Sequence, residues 1–471
     1  DTPGFVDQPT TFVLPEDVDL AQCVALLKRL YGPSVLAVLD SDTKRDAETG
    51  PLNDIEGLSR TTIEALRRKL RRSDPALYRH QISAINHVRT GGNVILATAT
   101  ASGKSLCFQV PIIDALCSSK REERPTALYI APLNALIDDQ FRSFLAFGEP
   151  SSDKVKPGSP EALGFMAHLR MDGASKVVVA QYHGGVAPEA DDKNATGKQR
   201  LRSDIRAALP DILFTNPEML GAALLPLAIA VDVPGAPGKK GAGNWKYFFR
   251  RLRYVVIDEC HEYRGVYGSH LANLLRRLRR VCALSDNPNT LQFILCSATI
   301  RDPASYAERL TGVTNWLAID RNADTSERYD RKLVFIEKKE PKQPLQEFAK
   351  GLLSVLFARE RLSTIYFQES IPAVQQLATR FREVLKKQNL PEELFAVFAS
   401  TFLAEEKIGK LDRLRSGSAK GVASTSALAL GLDIGSLSCA ILGGYPGNLA
   451  KTWQMLGRAG RRGPGLQLFL V

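Results

Sequence analysis

Short apolar runs recur along most of this chain, each bounded by polar residues and separated from the next by a stretch of helical spacing. In the first half they are Val94–Thr98, Ala127–Ala131, Val177–Ala180, Ile212–Thr215, Tyr254–Asp258 and Phe293–Cys296. Near-continuous apolar strands alternating with amphipathic helices predict a parallel sheet covered on both faces. A second series, Thr364–Phe367, Leu394–Phe398, Gly421–Thr425, Cys439–Leu442 and Leu466–Val471, predicts a smaller α/β unit. The polar stretch Asp320–Gln343 between the two series reads as a linker. The N-terminal part follows another pattern: Leu20–Tyr31 and Thr61–Arg72 have helical spacing, joined by a polar connection at Asp40–Asn53. The expected organisation is a mainly helical region at 1–74, a first α/β domain at 75–320, a linker at 321–343 and a second α/β domain at 344–471. Pro234–Gly243 (PGAPGKKGAG) reads as a surface loop.

The stretch Ala97–Leu106 (ATATASGKSL) follows one of these strands and opens a helix. Strand, small-residue turn, Gly-Lys-Ser and helix form the layout of a phosphate-binding loop. Backbone N–H groups of Thr100, Ala101, Ser102, Gly103 and Leu106 would cradle the phosphates, helped by the helix dipole. Lys104 would reach the β- and γ-phosphates, and the Ser105 hydroxyl would hold Mg²⁺. Thr98 stands where the general pattern has its first glycine.

The chain has 62 Lys+Arg against 51 Asp+Glu, a formal charge of +11, which favours a polyanionic partner. At 471 residues it is too long for one core. Its seven cysteines are scattered without a CxxC pair, so neither a zinc site nor a disulfide framework is indicated, and a reducing cytoplasm fits. No apolar run is long enough to span a bilayer. The chain opens at Asp1 and stops inside a strand-like run, so a piece of a longer protein is expected.

Two basic clusters leave two readings each. LRRKLRR (Leu66–Arg72) and the arginines Arg276, Arg277, Arg279 and Arg280 could touch a phosphate backbone, or be solvated helix faces opposite an apolar stripe, the commoner outcome. Tyr445 and Trp453 could stack on a base or pack internally.

A phosphate-binding loop needs a partner carboxylate and a group to position water. YVVIDECH (Tyr254–His261) supplies both at a strand end, where parallel sheets bind ligands. Asp258 would hold Mg²⁺ and Glu259 would orient the attacking water. Asp258–His261 resembles the DExH box of superfamily 2 helicases. FILCSATI (Phe293–Ile300) is similar to that superfamily's third motif, with Ser297 and Thr299 as the coupling residues. LYRHQ (Leu77–Gln81) resembles its adenine-reading motif, with Gln81 as the reader, and Tyr366–Phe367 sit at its fourth motif. STSALALGLD (Ser424–Asp433) and QMLGRAGR (Gln454–Arg461) resemble the fifth and sixth. The resemblance implies two tandem RecA-like domains of a P-loop NTPase with ATP and Mg²⁺ in the cleft between them. Gly431, Asp433 and Gln454 would serve the nucleotide from the second domain, and Arg458 and Arg461 would be arginine fingers.

The same resemblance implies nucleic-acid contacts by Pro132 and Asn134 in APLNALIDDQ, by His183 and Gly184, by Thr215 and Asn216 in TNPEML, and by Thr425. These are hydroxyl, amide and backbone donors suited to the sugar-phosphate backbone. TNPEML, HEYRGVYGSH (His261–His270), GLDIGSL and GGYPG look like the repair-type DExH helicases with a C-terminal four-cysteine domain, and like helicase subunits of bacterial anti-phage systems. The resemblance covers about Leu77 to Val471, leaves 1–74 unexplained, and implies ATP-driven movement on DNA, usually 3′→5′. The four-cysteine region is not in this sequence. The expectation is therefore a DNA helicase, DNA being favoured over RNA, with other subunits as possible partners in repair or antiviral defence. Three alternatives stay open: a duplex DNA translocase in an anti-phage complex, an RNA helicase, and a nucleotide-gated binding scaffold.

Overall fold

The computed structural model describes residues 18–98, 102–150, 159–160, 163–171, 176–186, 195–229, 243–298, 300–338, 340, 342–399, 402, 404–428 and 437–471. The chain divides into two compact units, Glu48–Ser326 and a smaller one made of Asp1–Ala47 with Glu327–Val471.

The larger unit is built on a sheet whose strands run in the spatial order Trp316–Ile319, Asn93–Leu96, Gln292–Cys296, Leu252–Ile257, Thr126–Ile130, Ile212–Thr215, Lys176–Tyr182, Met166–Arg170 and Glu149–Pro150. The pairings among the first seven are parallel and the last two pairings are antiparallel. The central strands are buried on both sides because alternate residues feed two cores. Val94, Leu96, Tyr129, Val256 and Ile294 join one cluster, while Ile95, Leu128, Val255 and Leu295 join the other. Helices Arg79–Arg89 and Lys104–Ser118 cover the first face, and Gly265–Leu284 the second. This order places three strand ends side by side: Leu96 before the phosphate loop, Cys296 before Ser297, and Ile257 before Asp258.

The smaller unit has the strand order Val35–Asp42, Arg331–Ile336, Gly465–Leu470, Cys439–Gly443, Thr364–Phe367, Gly421–Ser424 and Phe395–Phe398. All its pairs are parallel except the first.

The structure divides the chain differently from the expected 1–74, 75–320, 321–343 and 344–471. Helix Leu20–Tyr31 buries Leu20, Cys23 and Leu27 in the smaller unit's core beside Phe348, Leu352 and Leu353. Strand Val35–Asp42 pairs antiparallel with Arg331–Ile336, Val38 opposite Val334 and Leu39 opposite Leu333. Helix Arg60–Leu70 instead buries Ala65 and Leu66 in the larger unit. The expected linker contains Arg331–Ile336, an interior strand of the smaller sheet. Its apolar run is four residues inside a charged context, too short to stand out, yet Leu333, Val334 and Ile336 are buried.

Both basic clusters are helix faces. Leu271, Leu274, Leu275 and Leu278 are buried while Arg276, Arg277, Arg279 and Arg280 are exposed. In the earlier cluster Arg67 pairs with Glu64 at 2.9 Å, and Lys69 donates to the Ser143 carbonyl. Among the described residues no helix is long and apolar enough to cross a membrane.

Candidate nucleotide site and nucleic-acid interface

Gly103 ends the phosphate loop in the left-handed region, φ 73°, and caps helix Lys104–Ser118 without a side-chain hydrogen bond. That conformation favours glycine, and a Cβ there would come 2.2 Å from Gln81 Nε2 and push that side chain off the loop. Gln81 Nε2 donates to the Gly103 carbonyl at 2.9 Å, and its Oε1 accepts the Tyr78 N–H at 2.9 Å. The side chain expected to read adenine thus also ties the helix Arg79–Arg89 to the loop. Thr98 and Ser102 close the loop's base, hydroxyl to hydroxyl at 2.6 Å. This contact gives the threonine in the glycine position a structural task. Lys104 Nζ donates to the Thr98 carbonyl at 3.0 Å, and Ser105 Oγ accepts from Gln140 Nε2 at 3.1 Å. Thr100 and Ala101 lie outside the described residues, and Leu106 is half-buried on the helix.

Asp258 follows the strand Leu252–Ile257, its N–H donating to the Ile130 carbonyl at 2.9 Å. Tyr129 OH and the Glu259 N–H both donate to its carboxylate. Burial, with the Glu259 charge adding to it, pushes the Asp258 carboxyl up to about 6; the Tyr129 hydroxyl, the Glu259 N–H and Lys104 oppose the rise. Glu259 itself has φ 45° and ψ 42°, a left-handed conformation costing a non-glycine residue ~1–3 kcal/mol. Such strain clusters where a side chain must be aimed. His261 is buried, and its Nδ1 accepts the Ala298 N–H at 3.2 Å, so the ring hydrogen sits on Nε2, 3.3 Å from Glu262 Oε1. The same Nδ1 lies 3.5 Å from Glu259 Oε2. The acid box and the Ser297–Ala298 turn are therefore joined through one imidazole. Ser297 is buried beside the Cys260 thiol, and burial raises that thiol's pKa. Thr299 lies outside the described residues.

Several supporting residues carried no sequence signal. His80 is buried, with Nε2 3.0 Å from the Ser102 carbonyl and Nδ1 accepting the Thr325 N–H at 3.1 Å. One neutral tautomer satisfies both contacts, linking the loop to the last residues of the larger unit. His80→Ala strips a partner from each backbone group, at ~1–3 kcal/mol for every group left unpaired. A lowered urea midpoint with unchanged slope is expected; an unchanged midpoint shows the ring to be dispensable. Tyr306 OH donates to the Cys260 and Tyr263 carbonyls, bracing the box from outside. In the smaller unit, Arg331 donates to the Gly460 carbonyl at 2.8 Å and fixes the loop between Arg458 and Arg461. Only its place on an interior strand shows this role, and the sequence reading treated that strand as a linker.

The expected nucleic-acid contacts divide. Thr215 is fully buried and its hydroxyl donates to the Tyr182 carbonyl at 2.7 Å. His183 is buried, with Nε2 2.8 Å from Gln181 Oε1 and Nδ1 accepting the Gly185 N–H, and burial holds its pKa down at about 4. In this structure these two side chains brace their own turns, because a hydroxyl or imidazole beside a tight turn satisfies that turn's polar groups; their nucleic-acid role is a proposal from the resemblance. Asn216 caps the turn at Met219 and bonds Asn134 Oδ1 at 3.2 Å. Gly184 is exposed with open space beside its Cα, and Pro132 is half-buried. In the smaller unit Gln454, Arg458 and Thr425 are buried and Arg461 is half-buried. Gly431 and Asp433 lie outside the described residues.

The donor set suits a nucleotide with a divalent cation. The helix start at Gly103 offers uncapped N–H groups, Lys104 a cation, and Ser105 and Asp258 two oxygens. Mg²⁺ takes one or two protein oxygens and completes its shell with water and phosphate. Fold and site together define a P-loop NTPase with two RecA-like units. A profile of the DEAD/DEAH box helicases matches residues 78–306, and one of the helicase conserved C-terminal domain matches 336–463. The chain is 32% identical over 423 residues to the uncharacterized ATP-dependent helicase YprA of Bacillus subtilis, covering 89% of this chain and 48% of the relative. It is 31% identical over 428 residues to the ATP-dependent helicase hrq1 of Schizosaccharomyces pombe, covering 88% and 35%. The crystal structure of the DUF1998 helicase MrfA bound to DNA superposes with a TM-score of 0.76 at 29% identity, covering 96% of this chain and 53% of that one. The chain spans about half or less of the length of these relatives. It belongs to the superfamily 2 helicases.

Proposed function

We propose that this chain is the motor portion of an ATP-dependent DNA helicase that couples hydrolysis to movement along one strand. The observation that carries this reading is the adjacency of three strand ends, one leading into the loop before Lys104 and the others into Ser297 and Asp258–Glu259, the last two joined by the Ala298–His261 hydrogen bond. The acid box and the Ser297–Ala298 turn are thereby one hydrogen-bonded assembly. Lys104 would exchange the Thr98 carbonyl for the β- and γ-phosphates. Ser105 and Asp258 would hold Mg²⁺, which neutralises phosphate charge when bound. Glu259 would orient the attacking water and take up its proton. Arg458 and Arg461, with Gln454, Gly431 and Asp433, would serve the transferring phosphoryl group from the second unit, a role resting on the resemblance of their motifs. The DNA preference is supported by the DNA-bound MrfA structure; the 3′→5′ direction rests on resemblance alone.

The test is steady-state ATP hydrolysis without nucleic acid and with single-stranded DNA, duplex DNA or RNA. Stimulation by DNA beyond that by RNA is the expected result. Stimulation by RNA alone reassigns the track, and no stimulation by any nucleic acid overturns the motor reading.

A further inference from the structure

The larger unit holds a second concavity that the nucleotide chemistry does not use. Its volume is about 880 Å³, in the range of ligand clefts. Its walls are the helices Gly265–Leu284 and Pro303–Thr311, which start just after the acid box and the Ser297–Ala298 turn. Arg264, Arg276, Arg301 and Arg309 line it, and all four are exposed. Among the described residues none of them has a carboxylate within ion-pairing distance. Asp302, the one carboxylate in the lining, is engaged as a helix cap by the Ser305 N–H at 3.2 Å. Helix Gly265–Leu284 opens beside the same space with no side chain capping its first N–H groups, adding the positive end of its dipole.

The floor belongs to the acid box. Tyr263 is buried beneath the cavity, and a Cβ on Gly268 would come within 2.5 Å of its carbonyl. Tyr306 OH donates to that same carbonyl at 2.9 Å and to the carbonyl of Cys260, the residue between Glu259 and His261. A load on this floor is one hydrogen bond from the residues that position water.

We propose that this cavity binds the phosphodiester backbone of a nucleic-acid strand, at a place separate from the turns around Gly184 and Asn216, and transmits occupancy to the acid box through Tyr306. The inference rests on the motor reading above. Arg276 donates to Asn273 Oδ1 at 3.1 Å, and planar guanidinium groups not neutralised by a carboxylate match phosphate oxygens in pairs. The aromatic ring at the floor is buried, so no base can stack on Tyr263, and binding is indifferent to sequence. The length and openness of a wall built from two helices suit an extended chain of phosphates.

The experiment compares the parent chain, the pair Arg276→Gln with Arg309→Gln, and a control pair of equal charge, Arg277→Gln with Arg280→Gln, outside the cavity lining. Anisotropy of labelled single-stranded and duplex DNA is followed across a salt series, beside ATP hydrolysis with and without DNA. The expected result is a salt slope reduced by ~0.7–0.9 for each guanidinium lost in the cavity pair. The DNA concentration giving half-maximal ATPase stimulation should rise, with DNA-free hydrolysis unchanged and the control pair close to the parent. Equal effects of both pairs would show only long-range charge and overturn the site. Unchanged DNA binding in the cavity pair, with lost binding of polyglutamate, would overturn it in favour of an acidic protein segment. A parent chain that binds no nucleic acid would overturn the motor reading and the cavity's role together.

Discussion

Glu259→Gln is expected to lower DNA-stimulated ATP hydrolysis by ~10²–10⁴-fold, the range of a positioned general base, while nucleotide binding survives. The geometry separates the two effects. Glu259 is held at φ 45° immediately after Asp258, with Oε2 3.5 Å from His261 Nδ1. Gln keeps the shape and removes the proton acceptor. It also removes the neighbouring charge that helps push Asp258 upward, so Asp258 ionises more readily and still offers an oxygen to a cation. Single-turnover hydrolysis beside equilibrium binding of a fluorescent nucleotide distinguishes the outcomes. Near-parental hydrolysis in the variant would remove Glu259 from the site; lost binding would make it a structural residue.

Lys104→Ala should lower hydrolysis by a different route, ~10²–10³-fold in rate as for other lost electrostatic contacts, with nucleotide affinity falling as well. The ammonium group sits 3.0 Å from the Thr98 carbonyl, at the base of the loop that would hold the phosphates. Its contact is electrostatic in the ground state and stronger as charge shifts during transfer, so affinity and rate are both affected. Arg at this position does not restore function, because the planar fork cannot occupy the place of a compact ammonium against the Thr98 carbonyl. Retention of activity in Lys104→Ala would mean that the Gly103 loop is not the phosphate site.

The contrast between these residues and the ones around them shows what a sequence displays. Lys104 opens the helix that follows strand Asn93–Leu96, and Asp258 and Glu259 follow strand Leu252–Ile257; the apolar runs in these strands mark both the strand and the edge where chemistry sits. Strands Ile212–Thr215 and Thr364–Phe367 agree with their apolar runs residue for residue. Val35–Asp42 escaped although it opens on the apolar run VLAVL: it is an edge strand with Leu36 and Leu39 about half exposed, and its partner Arg331–Ile336 itself reads as linker. His80, Tyr306 and Arg331 act on backbone carbonyls brought near by folding, 22, 46 and 129 positions away. Nothing local in a sequence marks such a partner. Thr215 and His183 show the converse: a residue type that suits phosphate contact also suits the inside of its own turn.

The pairing of Val35–Asp42 with Arg331–Ile336 has a consequence for how the chain is made. Ser41 and Arg331 are hydrogen-bonded although 290 positions apart. A ribosome adding ~5–20 residues per second releases the first strand ~15–60 seconds before its partner exists. The whole larger unit is synthesised in that interval and can fold first. Until then the N-terminal hairpin of helix and strand carries Leu20, Cys23 and Leu27 uncovered. That nascent segment is where a holding chaperone would engage, and a ribosome paused before position 331 is the arrest point at which its capture would be greatest.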